Sequence, residues 1–150
     1  MSRLRAALVA LAVAGLLLPA GAAATDRSRQ DWFAYGQCTW LAYNKRPDIV
    51  NYGATHFGYY HWDGWEWSGH AKAEGYSVNR KPRKGDIAVW QPHVGGAGSK
   101  GHLAYVRAIY KKGRIGIVEM NWNGHKDPTR RTLGPSYVKK LEFIHHGPGG

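Results

Sequence analysis

Cys38 is the only cysteine in a chain of 150 residues. One thiol allows no bridge within the chain and no structural zinc site built from paired cysteines, so the fold must be held by an apolar core. The composition supplies one: 43% of the residues are hydrophobic and 21% charged, which argues against wholesale disorder, collagen and coiled coil. Twenty glycines, seven tryptophans and nine tyrosines point to a domain rich in turns and aromatic surfaces. The length suits one such domain.

The first residues are set apart from the rest. Arg3 and Arg5 precede an unbroken apolar run from Ala6 to Leu18, and Pro19 to Ala24 ends in small residues that fit a cleavage site. This pattern predicts a secretory signal peptide over 1–24, because the apolar run is shorter than the roughly 20 residues that span a bilayer. A short flexible lead over 25–33, a domain over 34–145 and a flexible tail over 146–150 follow. Cleavage near Ala24 would take the formal charge from +11 to +9 by removing Arg3 and Arg5. A secreted chain that basic is drawn to polyanions such as cell-wall polymers. Signatures of zinc fingers, RNA-recognition sheets and basic zippers are missing, so no specific nucleic acid is expected. A monomer is the preferred state.

Within the domain, Cys38, Leu41, Ala42 and Lys45 have helical spacing and Pro47 stops it, which predicts a helix from near Gly36 to before Pro47. Residues 48–62 read mostly as loop. Asp63 followed by Glu66 can cap a helix over Gly64 to Glu74, with Gly75 ending it. Asp86 to Trp90, His102 to Tyr110 and Arg114 to Trp122 read as strands, the last two flanking Lys111-Lys112-Gly113, and Leu141 to Ile144 is a closing strand. The expected class is α+β, with N-terminal helices packed on an antiparallel sheet.

A thiol attacks as the thiolate, and the first turn of a helix surrounds Cys38 with unpaired backbone amides that favour negative charge. The bland alternative is an inert cysteine packed beside Leu41 and Ala42. Among eight histidines, His102 stands out as the base, because it opens an apolar strand directly after the Gly95 to Gly101 loop. Glu119 and Asn121 lie two apart, on one strand face. A hairpin turn of two or four residues would put His102 on that face with Asn121 nearer, and only a bulge or stronger twist would bring Glu119 close. A three-residue turn would upset the arrangement. His56, His61 and His70 have no recognised metal-ligand spacing, and no metal or other cofactor is expected.

Four segments, taken in order, resemble the CHAP domain, a family of cysteine- and histidine-dependent amidohydrolases/peptidases acting on bacterial peptidoglycan. They are Tyr35-Gly36-Gln37-Cys38-Thr39-Trp40, Gly75-Tyr76 leading to Pro82-Arg83-Lys84-Gly85-Asp86-Ile87, Gly101-His102-Leu103-Ala104-Tyr105-Val106, and Val118-Glu119-Met120-Asn121-Trp122. The resemblance spans nearly all of Tyr35 to Ile144. It implies a papain-like fold with Cys38 as nucleophile, His102 as base, and Glu119 and Asn121 as polar partners. It also implies a secreted, wall-associated enzyme that cuts an amide bond of peptidoglycan, either the N-acetylmuramoyl-L-alanine bond or one in the peptide or cross-bridge. The Cys38 amide and the Gln37 side chain are candidate oxyanion donors. Trp62, Trp65, Trp67, Trp90 and Trp122 divide between groove and core, and Trp65, Trp90 and Trp122 are the substrate-facing candidates. Some family members carry an acidic calcium loop before the cysteine, for which Asp26 and Asp31 are too few. Two other classes fit parts of the pattern. One is a catalytically silent, cationic wall-binding protein of the same fold. The other is a membrane-active protein, against which the lack of a sustained basic amphipathic helix counts.

Overall fold

The computed structural model describes residues 33–49 and 62–148. The expected signal peptide, Asp26 and Asp31, residues 50–61 with His56 and His61, and the last two residues lie outside the described residues. Helix α1 (Cys38–Lys45) begins after the extended Gln37 and stops before Pro47, as the spacing predicts. Leu41, Ala42 and Tyr43 form its buried face. Its far end is fixed by Arg46, whose buried guanidinium donates to the Gly85 and His145 carbonyls and pairs with Asp48 at 2.8 Å. Because both carbonyls belong to the sheet side of the molecule, this anchor holds α1, and with it Cys38, in one place.

The capping pattern at Asp63 also forms: the Asp63 amide donates to Glu66 Oε2 at 2.7 Å. A single 3₁₀ turn (Gly64–Glu66) then runs into α2 (Trp67–Ala73), which ends at Glu74 and Gly75. Trp67 and Ala71, four apart on α2, are both completely buried.

Six strands follow: β1 (Tyr76–Asn79), β2 (Ile87–Trp90), β3 (His102–Tyr110), β4 (Arg114–Glu119), β5 (Thr129–Leu133) and β6 (Glu142–Pro148). They form one sheet in the order β1-β6-β2-β3-β4-β5, and every pairing is antiparallel. A single helical turn, α3 (Pro135–Val138), lies between β5 and β6. The sheet has a core on each side. Ile87, Val89, Leu103 and Ile144 pack with Tyr43, Trp67 and Ala71 of α1 and α2. Ala88, Trp90, Ala104, Val106, Ile117 and Phe143 face the other way and are closed by Val138 and Leu141. The class expected from sequence, helices on an antiparallel sheet, is what forms.

Four details differ from the sequence reading. β4 ends at Glu119 rather than Trp122, β1 and β5 were not predicted, and β6 runs on to Pro148, so that 146–148 of the expected flexible tail pair in the sheet with β1. β5 carries a single apolar residue, Leu133, in Thr129-Arg130-Arg131-Thr132-Leu133. It pairs with β4 at the sheet edge, where charged side chains discourage another strand from adding on.

Candidate active site

Cys38 is the first residue of α1, and the first bond of that helix runs from the Leu41 amide to the Gln37 carbonyl. The amides of residues 38–40 therefore have no partner within the helix, and Cys38 and Thr39 line a cavity that His102 also borders. His102 is the first residue of β3. It follows Gly101, whose φ of +63° suits glycine and where a Cβ would collide with the Trp90 carbonyl oxygen and with Trp65. Cys38 and His102 border a single cavity of about 630 Å³, together with Gln37, Thr39, Asp63, Lys100 and Asn121. Phe33 and Trp62 add apolar walls. The rim is tied by an ion pair between Lys100 and Asp63 at 3.2 Å.

The partner of His102 is Glu119, and the reason lies in the hairpin. The turn between Tyr110 and Arg114 has three residues, the length that would put Glu119 on the wrong face. An extra residue between Val106 and Ala108 in β3 shifts the register by one and restores the alignment, pairing Ala104 with Glu119. His102 and Glu119 then lie diagonally on one face, and His102 Nε2 meets Glu119 Oε2 at 2.9 Å. Asn121, the nearer partner in the simplest register, has left the strand. Its φ is +59°, and its Nδ2 donates to Gln37 Oε1 at 2.7 Å. Gln37 thus has its carbonyl end occupied and its amide end free to donate.

His102 is 4% and Glu119 1% exposed. Burial is the largest influence on the imidazole and pulls its pKa down. Hydrogen bonds and charge from Cys38 and from Glu119 outweigh it, so the net position is above the ordinary 6.5. With Nε2 engaged by Glu119, Nδ1 is the nitrogen left for the thiol. Two rings hold the imidazole in place: Trp122 meets it edge-on at 4.9 Å and Trp90 at 5.3 Å.

Trp90 corrects the sequence reading. It is 0% exposed, because β2 is central and covered on both sides, and it supports His102 from the core instead of facing a groove. Trp65 is 40% exposed but lies outside the cavity that holds Cys38, in the wall of a neighbouring cleft with Glu66, His70 and Lys72. Trp122 is half-buried behind His102 and is not part of the cavity lining. Trp62 is the tryptophan that lines it, with His70 stacked on it at 3.8 Å. Among the described residues, no three His, Cys, Asp or Glu side chains gather where they could hold a metal ion.

One residue escaped the sequence reading altogether. Arg131 of β5 pairs with Glu119 through Nε at 2.8 Å and Nη2 at 3.1 Å, and its guanidinium lies 4.0 Å over the Trp122 ring. Glu119 is thereby fixed between a cation and an imidazole, which limits its freedom to turn away. Without a predicted β5 there was no signal that could place Arg131 there.

Comparison with known proteins gives the chain its family. The CHAP domain profile matches residues 28–121. The N-acetylmuramoyl-L-alanine amidase sle1 of Staphylococcus epidermidis is 33% identical over 119 residues, covering 79% of this chain and 34% of the amidase. The probable autolysin SsaALP of Staphylococcus aureus is 33% identical over 123 residues, covering 81% of this chain and 43% of the autolysin. The chain thus spans between about a third and two fifths of these relatives. Among solved structures, an N-acetylmuramoyl-L-alanine amidase from Staphylococcus aureus superposes with a TM-score of 0.64 at 27% identity, over 79% of this chain and 33% of that one. The fold is papain-like, and this chain belongs to the CHAP domain family.

Proposed function

We propose that the protein is a peptidoglycan hydrolase that cuts an amide bond through Cys38 and His102. The observation that carries this is the opening of Cys38 and His102 onto one cavity, with the imidazole held from behind by buried Glu119. His102 Nδ1 takes the proton of Cys38, and the sulfur attacks the carbonyl carbon of the amide. The Cys38 backbone amide and the free end of Gln37 donate to the oxyanion, and Asn121 holds Gln37 in that orientation. The protonated ring then gives its proton to the leaving nitrogen, a water deprotonated by the same ring attacks the thioester, and Cys38 is released. Glu119, fixed by Arg131, orients the imidazole and stabilises its charged form. The short basic and apolar start of the chain and its charge of +11 support secretion and attachment to anionic walls.

Two relatives carry the name N-acetylmuramoyl-L-alanine amidase, so that bond is the first to test. Mass spectrometry of fragments released from defined peptidoglycan is expected to show new N-terminal alanine on the peptides and intact, peptide-free glycan. New amino termini elsewhere would make the enzyme an endopeptidase, and no fragments at all would favour a silent wall-binding protein.

The raised pKa of His102 sets an expectation for pH. The charged ring stabilises the folded site fully below 6.5, and that contribution is lost as pH rises through the higher folded value. In Glu119→Gln the ring loses its anionic partner and faces the unpaired charge of Arg131, so its pKa falls. The alkaline limb of the kcat/KM profile is expected to move to lower pH by about one unit or more. An unmoved limb would remove Glu119 from this role.

A further inference from the structure

A second cavity, of about 670 Å³, opens on the α1 side of the sheet, beside the half of that helix away from Cys38, where Leu41 and Lys45 line it. Three cations line it from three elements: Lys45 from α1, Arg107 from β3 and Arg130 from β5. Among the described residues, no carboxylate lines it. Its floor is apolar, with Tyr105 and Val118 opposite one another and Val118 opposite Arg130 across β3, β4 and β5. Arg107 sits at the bulge of β3, which re-aims its side chain. Its Nη2 donates to the Tyr110 hydroxyl at 3.2 Å, while its Nε is buried with no hydrogen-bond partner. Among the described residues, neither Lys45 nor Arg130 has an ion pair; Lys45 lies 5.7 Å over the Tyr105 ring.

We infer that this cavity binds a segment of an anionic polymer in which phosphodiesters alternate with polyol or sugar units. Resting on the reading above that the chain works on the cell wall, it gives the charge attraction to wall polymers a place. An arginine fork and a buried N–H without a partner match phosphate oxygens, and the apolar floor between the cations matches the uncharged unit between two phosphates. Nucleic acid fits less well, since its bases need open aromatic faces to stack on, and Lys45 covers that of Tyr105.

The test uses the full chain and a labelled oligo(glycerol phosphate), with binding followed by fluorescence polarisation. Combined Lys45→Gln, Arg107→Gln and Arg130→Gln is expected to weaken binding by at least about tenfold and to lower the slope of log affinity against log salt by about 2. Lys81→Gln, Lys84→Gln and Lys112→Gln together remove the same charge from exposed turns and are expected to cost no more than about threefold, as general screening would. Arg130→Glu alone, on the edge strand, repeats the loss without touching the bulge. Absence of binding by the wild type, an equal loss in the turn variant, or tighter binding of oligo(dT) of equal charge would overturn the proposal. The readout needs no turnover: a chain that binds the polymer but releases no peptidoglycan fragments defeats the hydrolase reading alone.

Discussion

Cys38→Ala is expected to reduce the release of peptidoglycan fragments by at least about a thousandfold, to the level of a blank. The size of the effect follows from the site: the chain has no second thiol, and among the described residues no hydroxyl is hydrogen-bonded to the His102 ring. Folding should barely notice. Cys38 is half-buried and only partly packed against the α1 core, so stability should change by less than about 1 kcal/mol. Cys38→Ser sharpens the reading, because it keeps a hydroxyl of similar size at the same helix start yet offers a far poorer nucleophile. Alkylating the native protein with iodoacetamide should add one group and silence it to the same degree. If Cys38→Ala retains wild-type turbidity clearance on isolated walls, the thiol mechanism is wrong.

Trp90→Ala is expected to be the most damaging single change to the fold. Trp90 is completely buried on central β2, packs against the His102, Trp122 and Tyr137 rings, and donates from Nε1 to the Tyr137 hydroxyl at 3.3 Å. Emptying that space costs about 3–5 kcal/mol, a large share of the roughly 5–15 kcal/mol that stabilises a domain. Thermal unfolding should drop by more than about 10 °C. The same change removes one of the two rings that hold the imidazole, so activity should fall even at temperatures where the variant stays folded. Trp90→Phe keeps most of the packing and loses the bond to Tyr137, and should cost roughly a third as much. A Trp90→Ala melting curve close to wild type would show that this side chain is not the centre of the second core.

How these features stood in the sequence differs from one to the next. Helix α1 was legible because its spacing and Pro47 are local signals, and the Asp63 and Glu66 cap because both partners lie within four residues. Cys38 and His102 were legible as a pair of reactive types at a helix start and a strand start. Trp90 was misread because β2 is four residues long with every one buried, so no exposed side betrays which way a residue points. β5 was invisible because four of its five residues are polar, and Arg131 went with it. Asn121 was placed by assuming that β4 continued, whereas a left-handed residue turned its side chain toward Gln37. Such turns depend on what the chain meets in three dimensions, beyond the reach of periodicity.

The three-residue turn at Lys111–Gly113 and the extra residue at Arg107 each invert the facing of β4 relative to His102, and together they cancel. Chain length in this hairpin is therefore heritable only in pairs. A lineage that drops one residue from the turn turns Glu119 to the opposite side of the sheet, and so does one that straightens β3. A descendant that does both recovers the imidazole's partner with a hairpin two residues shorter, though it surrenders the arginine that the irregularity displays.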